Sequence, residues 1–414
     1  MRKTIWLSWL LVLGVFCLIV EASNKLNPQP PGNRVYVCPP CGCNLHDRTF
    51  DKLGVCPACG MPLVRKINSA RKSNDAEVAV ELKTFLDGLV QDDEFSGTVL
   101  LAKNGKVFFS GAYGLASKNY GVANRLDTKF NLGSMNKMFT AVAIAQLAEQ
   151  GKLSFDDPLA RFLPSALPKV DAQKIKIKHL LTHTSGLGDY LFTPEMEKLS
   201  RAQFRTLDDW MGRIRHDTLA FEPGKDQGYS NTGFLVLGKV IEQITGESYF
   251  DYVRKHIYTP AGMTNTDSYE LDRVNQNLAE GYVRVRTSAG EVWGNNLFLH
   301  VVKGGPAGGG YSTVEDLLKF VLALRSGKLV STRYVELLTS PKPELDMPMY
   351  GYGFEVMGGA LGHGGAAPGL GANLLVYPKE DYVVVVLSNY SSGDLPVVAA
   401  VQAVLPIAVV TMTK

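Results

Sequence analysis

Hydrophobic positions recur at helical spacing in segment 77–90 and gather into short unbroken runs soon afterwards. The spacing of three and four residues between Glu77 and Val90 predicts an amphipathic helix. The apolar runs 97–102 and 106–110 flank Asn104-Gly105, a dipeptide that favours the positive φ angles of a two-residue hairpin turn. This region therefore predicts a helix followed by an antiparallel β-hairpin.

Strand-like and helical patterns are unevenly distributed over the rest of the chain. Three segments near the C-terminus read as strands: 352–356, 372–377 and 382–388. The middle of the chain has helical periodicity in six segments: 135–150, 176–182, 232–245, 248–257, 313–325 and 332–339. A packed helix is predicted after residue 395. The pattern alone indicates a mixed α and β fold, with strands at both ends and helices between them.

The first 22 residues have the composition of a secretory signal peptide. Arg2 and Lys3 precede an apolar stretch from Ile5 to Val20, and Val20-Glu21-Ala22 offers small residues for cleavage. This stretch is shorter than the roughly 18 apolar residues expected of a membrane span, so we expect cleavage. An uncleaved anchor is the alternative. The mature chain is expected to lack a membrane span and to be secreted or periplasmic.

Composition places the chain among ordinary globular proteins. It has 414 residues, of which 45% are hydrophobic and 20% are charged. That length is sufficient for a large core and allows two domains. The net charge of +3 is small and dispersed, so nucleic acid is not an expected partner.

Five of the six cysteines lie between residues 38 and 59. Two Cys-Pro-x-Cys-Gly units, which begin at Cys38 and Cys56, predict a module at 34–66, followed by a polar linker at 67–77. In such a unit the proline fixes the turn, and the glycine allows a left-handed backbone that turns N–H groups toward the sulfurs. Four sulfurs so placed suit a tetrahedral metal. The predicted ligands are Cys38, Cys41, Cys56 and Cys59.

The identity of the bound group stays open at this level. Zinc is the expected metal because a closed set of four thiolates suits it, whereas iron and copper(I) are alternatives. Disulfides are a competing interpretation in an oxidising compartment, but an odd number of cysteines disfavours them. A closed site would have a structural role, because about 30 residues build too small a core to fold alone. Cys43 and His46 are interpreted as neighbours of the site rather than ligands.

Ser134 and Lys137 form the most informative pair in the chain. They stand three residues apart where an extended segment gives way to the helix predicted at 135–150, so both side chains lie on one helical face. The lysine amine can then take the proton of the serine hydroxyl and activate it as a nucleophile. The helix N-terminus also favours the negative charge of an oxyanion. A helix-capping serine and a surface lysine are the structural alternatives.

Two further motifs follow the first at intervals of roughly 90 and 130 residues. The three in order are Ser134-Met135-Asn136-Lys137, Gly228-Tyr229-Ser230-Asn231 and Gly362-His363-Gly364-Gly365. Together they resemble the serine β-lactamase and penicillin-binding-protein superfamily, and most closely its class C β-lactamase, D-alanyl-D-alanine carboxypeptidase and family VIII esterase branch. The segments 179–187 and 308–313 also look similar. The resemblance covers roughly residues 78–405.

The resemblance implies an α+β fold of the β-lactamase/transpeptidase type, with an antiparallel sheet flanked by helices, a helical subdomain and the cysteine module in front. It implies catalysis without a cofactor: Ser134 is the nucleophile that forms an acyl-enzyme, and Lys137 is the general base or proton relay. Tyr229, with a pKa lowered toward the phenolate by Lys137, shares or passes on the proton. Asn231 binds the substrate amide or Lys137, and the backbone N–H of Ala366 completes the oxyanion hole with that of Ser134.

The third motif departs from the β-lactamase pattern at two positions. His363 is expected among the catalytic residues, but it replaces a lysine that helps to bind the β-lactam carboxylate, and an unperturbed histidine is mostly neutral at pH 7. Gly364 replaces a threonine whose hydroxyl contacts the same carboxylate. We therefore expect an exported serine hydrolase that acts on an ester, a D-amino-acid peptide or a β-lactam, in falling order of preference.

Other features support less specific interpretations. His179 and His183 have the spacing of a metal pair, but the turn at 182–186 favours a structural role. The glycine-dense stretch 304–310 lacks the lysine of a phosphate loop and suits a tight loop that lines the cleft. The main functional alternative is a metal-binding or interaction protein with an inactive hydrolase domain. A disulfide-linked oligomerisation module on an active enzyme is a third interpretation.

Overall fold

The computed structural model describes residues 34–407, except 40–42, 44, 46–47, 192, 195, 215–216 and 346. The predicted signal peptide lies outside the described residues, and so do six residues of the cysteine module, among them Cys41 and His46. In the part of the chain that the structure describes, no helix combines the length and apolarity that a membrane crossing requires.

Fifteen strands and ten α-helices are described, joined by short 3-10 and π segments. The strands are β1 Tyr36–Val37, β2 Thr49–Phe50, β3 Val64–Arg65, β4 Gly97–Lys103, β5 Lys106–Tyr113, β6 Leu115–Ser117, β7 Val122–Ala123, β8 Phe130–Asn131, β9 Tyr282–Thr287, β10 Gly290–Asn295, β11 Tyr311–Ser312, β12 Glu355–Met357, β13 Ala360–Ala367, β14 Leu370–Tyr377 and β15 Tyr382–Ser388. The helices are α1 Asp75–Gln91, α2 Asn136–Glu149, α3 Ile177–Leu181, α4 Leu207–Ile214, α5 Asn231–Thr245, α6 Tyr249–Val253, α7 Thr259–Ala261, α8 Val314–Arg325, α9 Thr332–Thr339 and α10 Leu395–Val404.

A six-stranded antiparallel sheet joins the two ends of the main region, which follows the linker. Its strand order is β12-β13-β14-β15-β4-β5, so the hairpin β4–β5 pairs with strands that come almost 300 residues later. The hairpin turn has positive φ angles at Asn104 and Gly105, +49° and +71°, as its sequence predicts. The predicted α+β fold of strands from both termini around a helical middle is confirmed.

Side-chain alternation gives the sheet two buried faces. Val99 and Leu101 of β4 point to one face and pack with α1 and α10, whereas Leu100 and Ala102 point to the other and pack with the helical region. The central helix of that region, α2, is buried along nearly its whole length. A helix that is apolar on all sides can only be stable inside a core, so α2 fixes the position of the residues at its N-terminus.

The N-terminal module is a three-stranded antiparallel sheet, ordered β2-β1-β3, that packs on the C-terminal end of α1. Arg34 and Arg65 both form ion pairs with Asp92, and Tyr36 donates a hydrogen bond to Glu94. These contacts attach the module to the main region.

The structure differs from the predicted elements at several boundaries. Helix α1 begins at Asp75, because Asn74 caps it by accepting a hydrogen bond from the backbone N–H of Glu77, so the last residues assigned to the linker are helical. The strand predicted at 352–356 begins only at Glu355. Gly353 has a φ of +73° and lies against Ala141 of α2, where a Cβ would clash, so the chain turns there. The pattern also missed the hairpin β9–β10 and helix α4.

Candidate active site

Ser134 lies in a 3-10 turn, Gly133–Met135, between strand β8 and helix α2. Strand β8 pairs with β11, and the N–H of Gly133 donates to Asn131 Oδ1 at 2.9 Å, which fixes the turn. Gly133 has a φ of +50°, a conformation that favours glycine. Ser134 is half-buried, with its hydroxyl at the junction of the sheet and the helical region.

Lys137 is completely buried beneath Ser134. Its Nζ lies 3.2 Å from Ser134 Oγ, 2.7 Å from Asn231 Oδ1 and 2.7 Å from the carbonyl oxygen of Ala307. Ala307 belongs to the glycine-dense stretch 304–310, so the prediction that this loop lines the cleft is confirmed. The amine therefore has partners in every direction in which it can form a hydrogen bond.

Burial lowers the pKa of Lys137 from 10.5 to about 7, against the opposing effect of the Asp189 and Glu355 carboxylates. A substantial neutral fraction then exists at pH 7. A neutral amine has two N–H groups and one lone pair. When the N–H groups donate to Asn231 and Ala307, the lone pair faces the hydroxyl of Ser134, as a general base requires.

Tyr229 also contacts Ser134. Its hydroxyl donates a hydrogen bond to Ser134 Oγ at 2.7 Å, and the Lys137 ammonium lies 4.7 Å from the centre of its ring. Burial raises the pKa of Tyr229 well above its ordinary value, the hydrogen bond with Ser134 lowers it, and the carboxylates of Glu355 and Asp189 raise it further. The expectation of a lowered phenol pKa is therefore wrong. Tyr229 remains protonated at neutral pH and is suited to donate a proton.

Asn231 connects the lysine to a carboxylate that the sequence analysis did not identify. Its Oδ1 accepts from Lys137, and its Nδ2 donates to Asp189 Oδ2 at 2.6 Å. Asp189 thereby fixes the amide so that its oxygen faces the lysine. Ser230 precedes α5 and caps it by accepting from the N–H of Gly233 at 2.9 Å.

Strand β13 brings the third motif against the Ser134 turn. A Cβ on Gly365 would lie 2.0 Å from the Leu132 carbonyl oxygen and 3.1 Å from Ser134 N, so only glycine allows this approach. The N–H of Gly364 points away from β14, since it donates to Glu355 Oε2 at 3.1 Å. By strand alternation the N–H of Ala366 points out of the same edge. This orientation agrees with an oxyanion hole formed by the N–H groups of Ala366 and Ser134.

His363 is buried and reaches the other site residues through Tyr350. Its Nδ1 lies 2.6 Å from the Gly364 carbonyl oxygen and so must donate to it, which leaves Nε2 to accept from Tyr350 OH at 2.9 Å. The ring nitrogens of His363 therefore bond to Tyr350 and Gly364 rather than to Ser134. Burial lowers its pKa, although Glu355 opposes that effect, and His363 stays neutral at pH 7.

His183 completes this hydrogen-bond chain on the other side of Tyr350. Its Nδ1 accepts from the N–H of Ser230 at 3.0 Å, so Nε2 carries the proton and donates to Tyr350 OH at 3.2 Å. Its ring stacks on Tyr229 with centroids 4.4 Å apart. The structural role expected of His183 is thus the support of Tyr229. His179 bonds instead to the N–H of Lys176.

Replacement of Tyr350 by phenylalanine should disturb both histidines at once. Tyr350→Phe removes a donor to His363 and an acceptor for His183, and an unsatisfied buried polar group costs about 1–3 kcal/mol. We expect a lower free energy of unfolding in urea and an approximately tenfold lower kcat/KM, because Tyr229 and strand β13 lose their fixed positions. Tyr334→Phe, a half-buried tyrosine on α9, is the matched control. Unchanged stability and activity in Tyr350→Phe would contradict the role of this chain.

Sequence reasoning missed Asp189, Tyr350 and Glu355, and assigned only a general structural role to His183. The alternation Tyr350-Gly351-Tyr352-Gly353 was the only local signal for Tyr350, and it has no catalytic spacing. Asp189 and Glu355 stand in segments without a motif. Their roles depend on contacts across the fold, which periodicity and spacing do not encode.

Four cysteine sulfurs gather in the N-terminal module. The Sγ atoms of Cys38, Cys43, Cys56 and Cys59 all lie within 4.8 Å of one another. Individual separations are 3.4 Å for Cys38–Cys59, 3.7 Å for Cys38–Cys43 and 3.8 Å for Cys43–Cys56. Four thiolates at about 2.3 Å from one tetrahedral zinc would be about 3.8 Å apart. The four sulfurs can therefore hold a metal ion, and the structure brings Cys43 into the group from which the sequence analysis had left it out.

The knuckle at Cys56 has the geometry that its sequence predicts. Gly60 has a φ of +72° and donates its N–H to the Cys56 carbonyl oxygen at 2.8 Å. Burial raises the pKa of Cys56, but hydrogen bonds from the backbone N–H groups of Ala58 and Cys59 lower it, and the pKa falls to about 7. A thiol that ionises this readily is suited to bind a metal.

A serine, a buried lysine and a protonated tyrosine at the junction of an antiparallel sheet and a helical region define the site type of the serine β-lactamase and penicillin-binding-protein superfamily. The chain belongs to the family described as Beta-lactamase, whose model matches residues 82–407. The predicted superfamily and fold class are confirmed.

Individual relatives include proteins with several activities. The chain is 28% identical over 317 residues to the teichoic acid D-alanine hydrolase of Staphylococcus aureus, which covers 75% of this chain and 74% of the relative. A penicillin-binding protein from Bacillus halodurans is similar in structure, with a TM-score of 0.68, 33% identity, and coverage of 77% of this chain and 99% of that chain. EstCE1, a hydrolase with promiscuous acyltransferase activity, has a TM-score of 0.66, 25% identity, and coverage of 80% and 99%.

Proposed function

We propose that this protein is an exported serine hydrolase that cleaves D-aminoacyl esters or amides through an acyl-Ser134 intermediate. The observation that carries the proposal is the position of Ser134 Oγ, 3.2 Å from a lysine whose pKa is lowered to about 7 and 2.7 Å from a protonated tyrosine. One hydroxyl thus contacts both a base and an acid.

The proposed reaction has two halves. Neutral Lys137 takes the proton of Ser134 as Oγ attacks the scissile carbonyl carbon, and the N–H groups of Ser134 and Ala366 stabilise the oxyanion. Tyr229 gives its proton to the leaving alcohol or amine and recovers one from Lys137. Water then attacks the acyl-serine with the same base, which releases the acid and restores Ser134.

The D-aminoacyl class is favoured over β-lactams by the charge of the third motif. His363 is neutral at pH 7 and faces Tyr350, so the fixed cation that would attract a β-lactam carboxylate is replaced by a neutral ring. One relative is named for the removal of D-alanine from teichoic acid, which gives a precedent for a D-alanyl ester within the family. The relative is an envelope-polymer hydrolase by name, which supports export as predicted from residues 1–22.

A substrate panel tests the proposed activity. The purified protein should hydrolyse D-alanyl esters or D-amino-acid amides with a higher kcat/KM than L-amino-acid amides, short acyl esters and the β-lactam nitrocefin. A preference for nitrocefin would overturn the substrate class and leave the nucleophile in place. The absence of turnover with all of them, together with intact metal binding, would favour the inactive, metal-binding alternative.

We also propose that the cysteine module binds one zinc ion as a structural element. Cys38, Cys56 and Cys59 are the predicted ligands whose sulfurs the structure describes, Cys43 is the candidate fourth because its sulfur lies beside theirs, and the predicted ligand Cys41 lies outside the described residues. The hydrolase reaction needs no metal in this proposal. A closed set of thiolates would supply folding energy to a module with a very small core.

Replacement of one buried cysteine should abolish zinc binding and leave hydrolysis almost unchanged. Cys56→Ser is expected to lower zinc content from about one ion per chain to near zero by elemental analysis, because a neutral hydroxyl is a poor zinc ligand. Activity of the hydrolase domain on D-alanyl substrates should stay within about twofold of the unsubstituted protein, since the module contacts the C-terminal end of α1 and helix α10, which pack on the sheet face opposite the helical region. Cys43→Ser and Cys41→Ser, measured in parallel, identify the fourth ligand. Full zinc content in Cys56→Ser would contradict the site.

A further inference from the structure

Glu355 carries a carboxylate at the edge of the candidate active site. It is the first residue of β12, its Oε2 accepts the N–H of Gly364 at 3.1 Å, and its Oε1 lies 3.5 Å from His363 Nδ1. Its side chain is 32% exposed, so solvent and ligands reach the carboxylate. The carboxylate therefore contacts the third motif and is accessible to solvent.

The register of β13 sets the distance between this carboxylate and the reaction centre. Gly364 and Ala366 present their N–H groups at the same strand edge, two residues and about 7 Å apart. Glu355 occupies the first N–H, and the scissile carbonyl oxygen would occupy the second. Because the Gly364 N–H already donates to Glu355, it is not available to a carboxylate of the substrate.

Two carboxylates act on the site residues that the structure describes. Glu355 and Asp189 are the carboxylates that act on the pKa values of both Lys137 and Tyr229. His363 is neutral at pH 7, and Lys137 is neutral in the reactive state. A substrate group near Glu355 thus meets negative charge in a partly desolvated setting, where Coulomb interactions are stronger than in bulk water.

We propose that Glu355 is a specificity-determining residue that selects substrates with an ammonium group beside the scissile carbonyl and rejects those with a carboxylate near the scissile bond. The substrate class is D-aminoacyl esters or amides with a free α-amino group. This inference rests on the proposed hydrolase function and deepens it. Attraction of the ammonium by Glu355 and repulsion of an anion act through the same charge, so one substitution should change both.

A charge series with a single leaving group tests the inference. D-alanine p-nitroanilide, its N-acetyl derivative and its N-succinyl derivative carry positive, neutral and negative acyl groups. We expect kcat/KM to fall in that order for the unsubstituted protein, and the ratio between the first and last to shrink about tenfold or more in Glu355→Gln. Glutamine retains the acceptor for Gly364, so the strand edge is preserved. Glu315→Gln, an exposed change in the first turn of α8, controls for net charge.

A binding measurement keeps this test independent of turnover. In the Ser134→Ala background, calorimetry should show tighter binding of D-alaninamide than of N-acetyl-D-alanine, an anion, and the added Glu355→Gln change should level the two affinities. An unchanged preference in the double variant, a preference for the anion, or binding of neither ligand would overturn the role of Glu355. If Ser134 resists labelling and no anilide is cleaved, the proposed function fails, whereas the binding comparison still decides the role of Glu355.

Discussion

Ser134→Ala should abolish hydrolysis and covalent labelling while the fold stays intact. Without the serine nucleophile no acyl-enzyme can form, and the base and the oxyanion hole then have no step to assist. We therefore expect kcat/KM to fall by about 10⁴-fold or more. A fluorophosphonate probe or a fluorescent penicillin should label the unsubstituted protein at Ser134, read by peptide mass spectrometry. The variant should remain unlabelled at this position.

Two controls distinguish the loss of the nucleophile from a structural defect. Ser110→Ala changes an exposed serine on β5 and should leave labelling and turnover unchanged. Thermal unfolding of Ser134→Ala should match that of the unsubstituted protein, since the Ser134 hydroxyl is half-buried and a cavity of one oxygen is small. Label that persists in Ser134→Ala would place the nucleophile elsewhere and refute the mechanism.

Lys137→Met should cost nearly as much activity for a different reason. The substitution keeps an unbranched side chain in the buried site but removes the amine that takes the proton of Ser134. General-base catalysis of this kind contributes about 10²–10⁴-fold, and we expect a loss at the upper end because the same amine also restores the proton of Tyr229. Lys106→Met, an exposed lysine of β5, is the matched control and should remain fully active.

The pH dependence of the unsubstituted protein provides a second measurement for Lys137. Because burial lowers the pKa of this amine to about 7, the neutral base accumulates as the pH rises, and kcat/KM should increase through pH 7 to a plateau. The residual activity of Lys137→Met should lack this rise. The lowered pKa also implies that the unfolded chain binds more protons than the folded chain between about pH 7 and 10.5. The contribution of Lys137 to the free energy of unfolding is therefore least favourable below pH 7 and improves as the pH rises toward 10.5. An activity that is flat from pH 5 to 9 would argue against Lys137 as the base.

The cysteine module illustrates a limit of motif reading. The repeated Cys-Pro-x-Cys-Gly unit predicted that Cys38, Cys56 and Cys59 would share one site, and their sulfurs do lie together. Cys43 stands outside both units, yet its sulfur is 3.7 Å from that of Cys38 and 3.8 Å from that of Cys56. Spacing identifies the turns that present sulfurs, whereas the path of the intervening chain decides which other sulfur reaches them.

Sequence by itself determined the superfamily, the sheet built from both chain ends, and the residues that meet at Ser134. The superfamily and the sheet from both chain ends follow from the resemblance that the three motifs carry, whereas local rules align Ser134 with Lys137 on one helical face and pair β4 with β5 through an Asn-Gly turn. Tertiary structure alone decided the protonation states and the acidic surroundings. Burial of Lys137 and Tyr229 moves their pKa values in opposite directions, and Asp189, Tyr350 and Glu355 act across the fold. Desolvation and long-range contacts depend on which distant segments pack over an ionisable side chain, and the periodicity of the sequence does not specify those segments.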